Sequence, residues 1–245
     1  MQLHPLLVPI ADLVFPPRCP LCGSAMAAQS GLCATCWAEL VIPGEPACQT
    51  CRRPLGEGHA GTSLCAPCLA DPPRHAGIAA GTLYNDASRR LILALKHGHR
   101  IALAPMLARL MLAQLPQEVD DRWIVVPVPL HRWRLWRRGF NQAGLLGAEL
   151  ARARGARLAV DGLVRRKQTP SLGGLGRTAR AKAVSGAIAV NPARASLWDG
   201  ASVLLVDDVL TSGATSNACV KVLRDAGAAR VMIACFARVL DEALP

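Results

Sequence analysis

The sequence has no apolar run long enough to cross a membrane. Its most apolar stretch, residues 101–115, is interrupted by Pro105 and Arg109, and a membrane-spanning helix needs about 20 apolar residues. The first 15 residues have no Lys or Arg before their apolar part, and no small-residue cleavage site precedes the first cysteines. We interpret them as a short amphipathic helix and not as an export signal. We therefore expect a cytoplasmic protein with no membrane span.

Acidic residues are also scarce, with 17 Asp and Glu against 28 Lys and Arg and a formal net charge of +11 at pH 7. This imbalance favours anionic partners such as phosphate esters, nucleic acid or an acidic membrane surface, without choosing among them. Hydrophobic residues make up 51% of the chain and charged residues 18%. Such a composition allows a sizeable core and argues against wholesale disorder.

Cysteine, in contrast, is abundant and unevenly placed, because eight of the ten cysteines form four Cys-x-x-Cys pairs before residue 69. Two such turns present four thiolates to one tetrahedral ion, which is the ligand set of structural zinc. Metal binding would supply the folding free energy of a segment too short and loop-rich to fold alone. The predicted ligands of two structural zinc ions are Cys19, Cys22, Cys33, Cys36, Cys48, Cys51, Cys65 and Cys68.

Disulfides and an iron–sulfur cluster are the alternatives to zinc. Disulfides need an oxidising compartment, and iron–sulfur ligands are usually more compactly spaced. We favour a sequential arrangement, first pair with second and third with fourth, although the spacing leaves a crossed arrangement open. A complete four-cysteine shell has no open position for catalysis, so this region is predicted to be a structural or docking module.

Beyond the stretch LADPPRHAG, residues 69–77, strand and helix patterns alternate. This alternation argues for an α/β domain with a mostly parallel sheet. We therefore divide the chain into an N-terminal helix and double zinc ribbon, residues 1–72, and an α/β domain, residues 73–245. Strands are predicted within 122–129, 185–190, 202–206 and 229–240, and helices within 84–98, 141–155 and 215–228.

The run VLLVDDVLTSGATS, residues 203–216, joins an apolar strand to Asp207 and Asp208 and then to a turn of small and hydroxyl residues. Open α/β sheets bind ligands beyond the carboxyl ends of their strands. Backbone N–H groups at a helix N-terminus bind phosphate, and Gly213 would permit its close approach. The carboxylates suit ribose hydroxyls, and Mg²⁺ would relieve their repulsion of a phosphorylated ligand. The predicted phosphate-binding residues are Thr211, Ser212, Gly213, Ala214 and Thr215.

Two other interpretations of this run are possible. A Walker B strand also ends in acids, but it requires a G-x-x-x-x-G-K-[ST] loop and the chain contains no Gly-Lys pair. A purely structural interpretation makes Asp208 a cap and Thr215 the N-cap of the next helix. It explains one acid and one hydroxyl and leaves the rest of the run unexplained.

This run resembles the phosphoribosyl-pyrophosphate (PRPP) binding motif of type I phosphoribosyltransferases. The wider layout resembles the ComF family, competence-associated proteins with an N-terminal double zinc ribbon and a C-terminal phosphoribosyltransferase-like domain. The likeness includes the cysteine pairs, LILALKHG, PVPLHRWRLWRRGFNQA, RRKQTPSLGGLGR and the closing strand. It implies a type I phosphoribosyltransferase-like parallel sheet with flanking helices, PRPP or another phosphorylated ribose as ligand with Mg²⁺, and a link to DNA uptake or utilisation. It leaves the acceptor of a transferred phosphoribosyl group unspecified.

The resemblance also implies residue roles. The two aspartates would hold the ribose hydroxyls, and the loop after the strand at 122–129 would face the pyrophosphate. Leu172 and Ala183 replace the Gln and Asn usual in the family, and Ile188 a common Phe, so PRPP binding is compatible with altered or lost transfer. The implied pyrophosphate loop contains Arg138, Gly139 and Asn141, and the implied mobile lid contains Arg165, Arg166, Lys167, Arg177, Arg180 and Lys182.

The segment HRWRLWRRGF, residues 131–140, interleaves four arginines with Trp133 and Trp136. Aromatic side chains among cations suit single-stranded nucleic acid. The alternative, favoured by the position after a strand, is a pyrophosphate loop whose tryptophans pack on the sheet edge. These residues motivate a second hypothesis, a non-catalytic DNA-processing scaffold that binds single-stranded DNA and a helicase-like partner. KHGHR, residues 96–100, is interpreted as a solvated helix end or an accessory phosphate contact.

Overall fold

The computed structural model of the chain describes residues 16–27, 31–56, 63–97, 100–167 and 177–240. The predicted N-terminal helix, residues 1–15, lies outside the described residues. None of the helices in the described ranges is both long and apolar enough to span a bilayer.

The cysteine-rich region contains turns, isolated β-bridges and two short helices, and few extended strands or large apolar side chains. Its buried side chains are chiefly cysteines, with Leu40 and Ala47 beside them. A region with so little apolar burial gains little free energy from its own core. Its bridges pair Arg18 with Ala25 and Ala47 with Pro54, and its helices are α1 (Ala34–Ala38) and α2 (Ala66–Ala70).

The remainder of the chain alternates strands and helices, as the sequence predicts. In chain order the elements are β1 (Ile78–Leu83), α3 (Asp86–His97), α4 (Ala104–Gln114), β2 (Ile124–Pro127), α5 (Arg132–Arg138), α6 (Gln142–Arg154), β3 (Arg157–Leu158), β4 (Leu163–Arg165), α7 (Arg177–Val184), β5 (Ile188–Val190), β6 (Ser202–Leu210), α8 (Ala214–Asp225) and β7 (Arg230–Arg238). Short 3₁₀ helices precede α4 at Ile101–Leu103 and β6 at Pro192–Leu197.

Five strands form one parallel sheet in the order β1-β7-β6-β2-β3. Val203 to Val206 in β6 are all fully buried. Alternate residues of such a run face opposite sides of the sheet, and both sides are covered, which explains its continuous hydrophobicity. The predicted α/β fold with a mostly parallel sheet is therefore confirmed. The strand predicted at 185–190 is β5, which pairs with β4 in a separate antiparallel unit and not in this sheet.

Helices cover the sheet on both faces. Helices α4 and α6 pack on one face, where Leu107, Leu146 and Phe236 are fully buried. Helix α8 packs on the other face, and the β4–β5 unit shares its apolar cluster through Ile188. Cys219 and Cys235, which lie outside the four pairs, are fully buried in this second cluster.

The first cysteine-rich unit, residues 16–27 and 31–42 around the first two cysteine pairs, is attached to the start of the α/β domain. The Leu83 backbone N–H donates to the Val41 carbonyl at 2.7 Å. Asn85 Nδ2 donates to the Glu39 carbonyl at 2.7 Å, and the Glu39 carboxylate accepts from Arg90 Nη2 at 2.6 Å. These contacts tie residues 39–41 to β1 and to the N-terminal half of α3.

Gly81 marks the closest approach of β1 to helix α4. A Cβ at this position would lie 3.1 Å from both the Met111 nitrogen and the Phe236 oxygen, which are backbone atoms that cannot rotate away. We expect Gly81→Ala to lower the free energy of unfolding by about 1–3 kcal/mol, the usual cost of overpacking a close contact. Gly44→Ala is the matched control, because a Cβ there meets nothing within 4 Å. Equal thermal unfolding midpoints for the two variants would contradict this packing.

Candidate functional site

The sheet opens a crevice between the carboxyl ends of β2 and β6. Strands β2 and β6 are neighbours in the sheet. After β2 the chain continues to β3 on the side away from β6, and after β6 it continues to β7 on the side away from β2, so the direction of winding reverses between the two strands. Ligands of open α/β sheets bind at such a reversal. Strand β2 ends at Pro127, which pairs with Val206. The next residues of β6, Asp207 and Asp208, therefore have no strand of the described residues beside them on that side.

A cavity of about 780 Å³ fills this crevice. Its wall combines five Lys or Arg side chains with the two aspartates and with the loops that follow β2 and β6. The lining residues are Lys96, His97, Val128, Pro129, Leu130, Trp133, Arg134, Arg137, Arg138, Asn141, Gln142, Ala143, Arg165, Asp207, Asp208, Val209 and Thr215.

Asp207 and Asp208 are the acidic pair of the cavity. The sequence places them at the end of a strand, but β6 continues through them to Leu210 because it still pairs with β7 on its other side. Asp208 is 8% exposed, and its Oδ1 accepts from the Val209 N–H at 2.8 Å. Burial and the adjacent Asp208 charge raise the pKa of Asp207 to about 8, although Lys96 opposes the shift. Near neutral pH the pair therefore carries less than two negative charges.

Lys96 from helix α3 reaches this pair. Its Nζ lies 2.7 Å from Asp208 Oδ2, an ion-pair distance, although the two groups do not have aligned hydrogen-bond geometry. The interpretation of Lys96 as part of a solvated helix end is wrong, because the side chain is 24% exposed and lines the cavity. His97 lines the cavity beside it, and His99 lies outside the described residues.

The predicted phosphate loop joins β6 to helix α8. Gly213 is the N-cap of α8 with φ of 74°, a left-handed conformation that favours glycine. Ala214 and Thr215, predicted in the loop, form the first turn of the helix, and Thr215 also lines the cavity. The interpretation of Thr215 as the N-cap is wrong, since no side chain caps this helix. Unoccupied backbone N–H groups at a helix N-terminus are suited to bind an anion.

The predicted pyrophosphate loop borders the cavity from the opposite side. Arg138 Nη1 donates to Gln142 Oε1 at 2.8 Å. Asn141 donates through Nδ2 to the Val128 carbonyl at 3.0 Å and caps helix α6 by accepting from the Ala143 N–H at 3.1 Å. Gly139 ends helix α5 with φ of 79° and permits the turn between the two helices. The loop is thus fixed to the end of β2.

Trp133 and Trp136 lie on helix α5 and project into solvent, with 56% and 79% of their surface exposed. Their rings stack edge to face with centroids 6.1 Å apart. The alternative in which both tryptophans pack on the sheet edge is therefore wrong. A seven-residue helix with no buried residue carries them away from the sheet.

The predicted lid is described in part. Arg165 ends β4 and lines the cavity, whereas Lys167 is exposed beyond it. Burial lowers the pKa of Arg165 and of Arg138, but arginine starts so high that both remain cations. Arg177 and Arg180 lie in helix α7, and their side chains are outside the described part of the chain, as are all atoms of Leu172. The lid's closure stays a prediction.

The eight paired cysteines form two separate clusters. The Sγ atoms of the first and second pairs lie within 4.8 Å of one another, and so do those of the third and fourth pairs. This is the sequential arrangement favoured above. All eight thiols are free, with no disulfide among them, and four cysteine sulfurs at this spacing fit tetrahedral zinc. The Ser24 hydroxyl, the largest contributor, lowers the pKa of the Cys22 thiol to about 6, whereas burial raises the pKa of the Cys36 thiol in the same cluster. Zinc binds the thiolate form of cysteine, so its binding would release protons from such thiols.

Comparisons with known families match both parts of the chain. A family model described as a double zinc ribbon domain matches residues 10–72. A family model described as a phosphoribosyl transferase domain matches residues 142–245. A hypoxanthine phosphoribosyltransferase structure from Staphylococcus aureus is 12% identical, with a TM-score of 0.37, over 58% of this chain and 76% of that one. The family models, and not this loose structural likeness, assign the two parts.

Curated relatives extend the match over nearly the whole chain. The DNA utilization protein YhgH of Salmonella typhi is 31% identical over 238 residues, which cover 93% of this chain and all of that protein. The chain belongs to the YhgH and competence protein F family. Competence protein F of Haemophilus influenzae is 29% identical over 90% of this chain and 96% of its own length. The resemblance to the ComF family is thereby confirmed, as is a phosphoribosyltransferase-like domain preceded by a double zinc ribbon.

The sequence predicts Lys96 to be part of a solvated helix end or an accessory phosphate contact, and it does not link this residue to the aspartate pair. Lys96 lies far from Asp207 and Asp208 in the chain, in the segment LILALKHG. Basic residues are common at helix C-termini because they stabilise the helix, so the sequence around Lys96 does not show that its side chain lies in the cavity. Helix α3 follows the carboxyl end of β1 directly, and its last turn reaches the acidic pair of β6.

Proposed function

We propose that the cavity binds PRPP or another phosphorylated ribose, and that residues 73–245 form this ligand-binding domain beyond a zinc-dependent module at residues 1–72. The supporting observation is the shared position of the aspartate pair and the N-terminus of α8 at one crevice. Carboxylates accept hydrogen bonds from ribose hydroxyls, while helix N–H groups accommodate a phosphate. The five cationic side chains would attract the pyrophosphate.

Magnesium belongs to this proposal as a companion of the pyrophosphate. Asp207 and Asp208 supply oxygen ligands, the donor type that Mg²⁺ prefers. When bound, the ion would neutralise charge on the leaving pyrophosphate. The chain's own groups would orient the ribose and stabilise positive charge that develops at its anomeric carbon, a phosphoribosyl transfer of glycosyltransferase type without a covalent protein intermediate. The acceptor is not specified by the cavity.

The test is calorimetric titration of PRPP with Mg²⁺ into zinc-loaded protein, wild type and Asp207→Asn with Asp208→Asn. Replacing both carboxyl groups with amides removes the negative charge of the pair and is expected to weaken PRPP binding about 30-fold or more, since hydrogen bonds to charged groups are roughly twice as strong. Asp120→Asn with Asp121→Asn is the matched control, an adjacent acidic pair outside the cavity lining. PRPP affinity that is unchanged in the first variant, or that falls equally in both, would overturn the proposal.

A second candidate function is binding of single-stranded DNA. The exposed tryptophans on the arginine-rich helix α5 favour it. Relatives named for DNA utilisation and competence also favour a link to DNA uptake or use. The two functions are compatible because they would use neighbouring surfaces. Trp133 lies where these surfaces meet, since it lines the cavity and is also exposed on α5. A helicase-like protein partner and a cytoplasmic location, where thiols stay reduced, remain predictions.

A further inference from the structure

The ion pair between Lys96 and Asp208 places a positive charge directly beside the acidic pair of the cavity. Lys96 Nζ and Asp208 Oδ2 are 2.7 Å apart, and the two side chains are 24% and 11% exposed. A charge pair this sheltered from water is screened little by solvent or salt. The cavity therefore already contains a cation beside its carboxylates.

Helix α3 holds Lys96 in this position. Leu91 and Leu95 are fully buried on its inner face. At its start, Asn85 and Ser88 cap each other, since Asn85 Oδ1 accepts from the Ser88 N–H at 3.0 Å and Ser88 Oγ accepts from the Asn85 N–H at 2.8 Å. Lys96 lies in the last turn, where a helix stabilises positive charge. A helix capped at its start and packed along its inner face presents the ammonium group with little loss of freedom on ligand binding.

The charges around the acidic pair are balanced without a metal. Lys96 forms an ion pair with Asp208, and Arg138 lines the same cavity. Arg165 contributes a further positive charge close enough to influence Asp207. The repulsion that a phosphorylated ligand would meet from two bare carboxylates is thus largely removed by the chain itself.

We propose that Lys96 is the built-in counter-cation of the aspartate pair, so that the cavity binds a monophosphorylated pentose without a divalent metal. This inference rests on the proposed function and narrows it. Magnesium would then be needed for the pyrophosphate of PRPP and not for the sugar phosphate. Lys96 is accordingly a positioning and specificity-determining residue, and it makes the cavity accept ligands that lack a pyrophosphate.

The test uses ribose 5-phosphate, which has the sugar and phosphate but no pyrophosphate. It is titrated into the zinc-loaded full chain in buffer freed of divalent ions by resin, because a soluble chelator would remove the zinc. Wild-type affinity is expected to agree within about twofold with and without Mg²⁺. Without metal, Lys96→Met is expected to bind ribose 5-phosphate at least about tenfold more weakly than the wild type. Removing one partner of a sheltered charge pair leaves the other charge unpaired, which costs about tenfold in affinity or more. Mg²⁺ should restore part of the loss.

Two further variants separate this role from folding and from general charge. Lys96→Arg keeps the charge at the helix end and should retain metal-free binding. Lys221→Met removes an exposed lysine paired with Asp225 on the outer surface of α8, and it should leave ribose 5-phosphate binding unchanged. Zinc content and thermal unfolding midpoint report whether each variant is folded.

The outcomes distinguish this inference from the proposed function. Metal-free affinity that is unchanged or tighter in Lys96→Met would overturn the role of Lys96 while leaving the cavity a ribose-phosphate site. Wild-type binding that requires Mg²⁺ would overturn it in the same way. Wild-type protein that binds neither ribose 5-phosphate nor PRPP, with or without Mg²⁺, would overturn the proposed function itself.

Discussion

Cys51→Ser is expected to reduce the zinc content from two ions to one per chain and to unfold the second cysteine cluster. All four cysteines of this cluster are buried, and the described residues around them, 43–56 and 63–72, include few large buried apolar side chains that could replace the metal. Structural zinc contributes about 10–16 kcal/mol of apparent binding free energy to small folds, so its loss exceeds the stability of a typical domain. The measurements are zinc content by atomic emission and cleavage of residues 40–72 by a low dose of protease.

The effect is expected to extend into the α/β domain. The cysteines of the second cluster share an apolar cluster with Ile78 and Ala80 of strand β1. Cys22→Ser should also remove one zinc ion, but Cys22 is exposed and the consequence should stay closer to the first cluster. The thermal unfolding midpoint is therefore expected to fall further in Cys51→Ser than in Cys22→Ser.

Cys219→Ser is the matched control for this experiment. It changes a buried cysteine on α8 that belongs to neither cluster, and burying a hydroxyl there costs about 1–3 kcal/mol. It should keep both zinc ions and resist the protease in residues 40–72. If Cys51→Ser also kept two zinc ions and the wild-type midpoint, the structural role of the metal would be wrong.

Features encoded in local sequence patterns were predictable from the sequence. The apolar runs of β2, β6 and β7 and the helix pattern ended by Gly155 are read from neighbouring residues, so these elements appear where predicted. The position of Asp207 and Asp208 at a cavity beside the strand ends followed from the α/β pattern, since open sheets of this kind form such crevices at strand carboxyl ends.

Features that depend on which elements become neighbours were not predictable. The length of β6 is one, because its extension past the acidic pair is supported by pairing with β7. The Lys96–Asp208 ion pair is another, because it requires α3 to end above a strand that comes much later in the chain. The orientation of Trp133 and Trp136 is a third, since one short helix can either pack on the sheet edge or project from it.

Trp133→Ala with Trp136→Ala is expected to weaken binding of a single-stranded oligonucleotide by about 30-fold or more. Each aromatic platform contributes about 1–3 kcal/mol by stacking on a base, and the edge-to-face arrangement leaves ring faces of the two side chains accessible. Fluorescence anisotropy of a labelled oligonucleotide measures the loss. Wild-type affinity should also fall steeply with salt, because the arginines around the tryptophans release counterions from the phosphates.

Trp37→Ala is the matched control, because it also removes an exposed tryptophan. Trp37 is 49% exposed and lies on the first cysteine-rich unit. It should leave the affinity for the oligonucleotide unchanged, because no cluster of arginines comparable to that of α5 surrounds it in the sequence. Arg134→Gln with Arg137→Gln should instead make the slope of log affinity against log salt concentration shallower, by the amount expected for the loss of about two phosphate contacts. A loss in Trp37→Ala as large as in the α5 double variant, or an affinity indifferent to salt, would contradict the assignment of helix α5 as the DNA-binding surface.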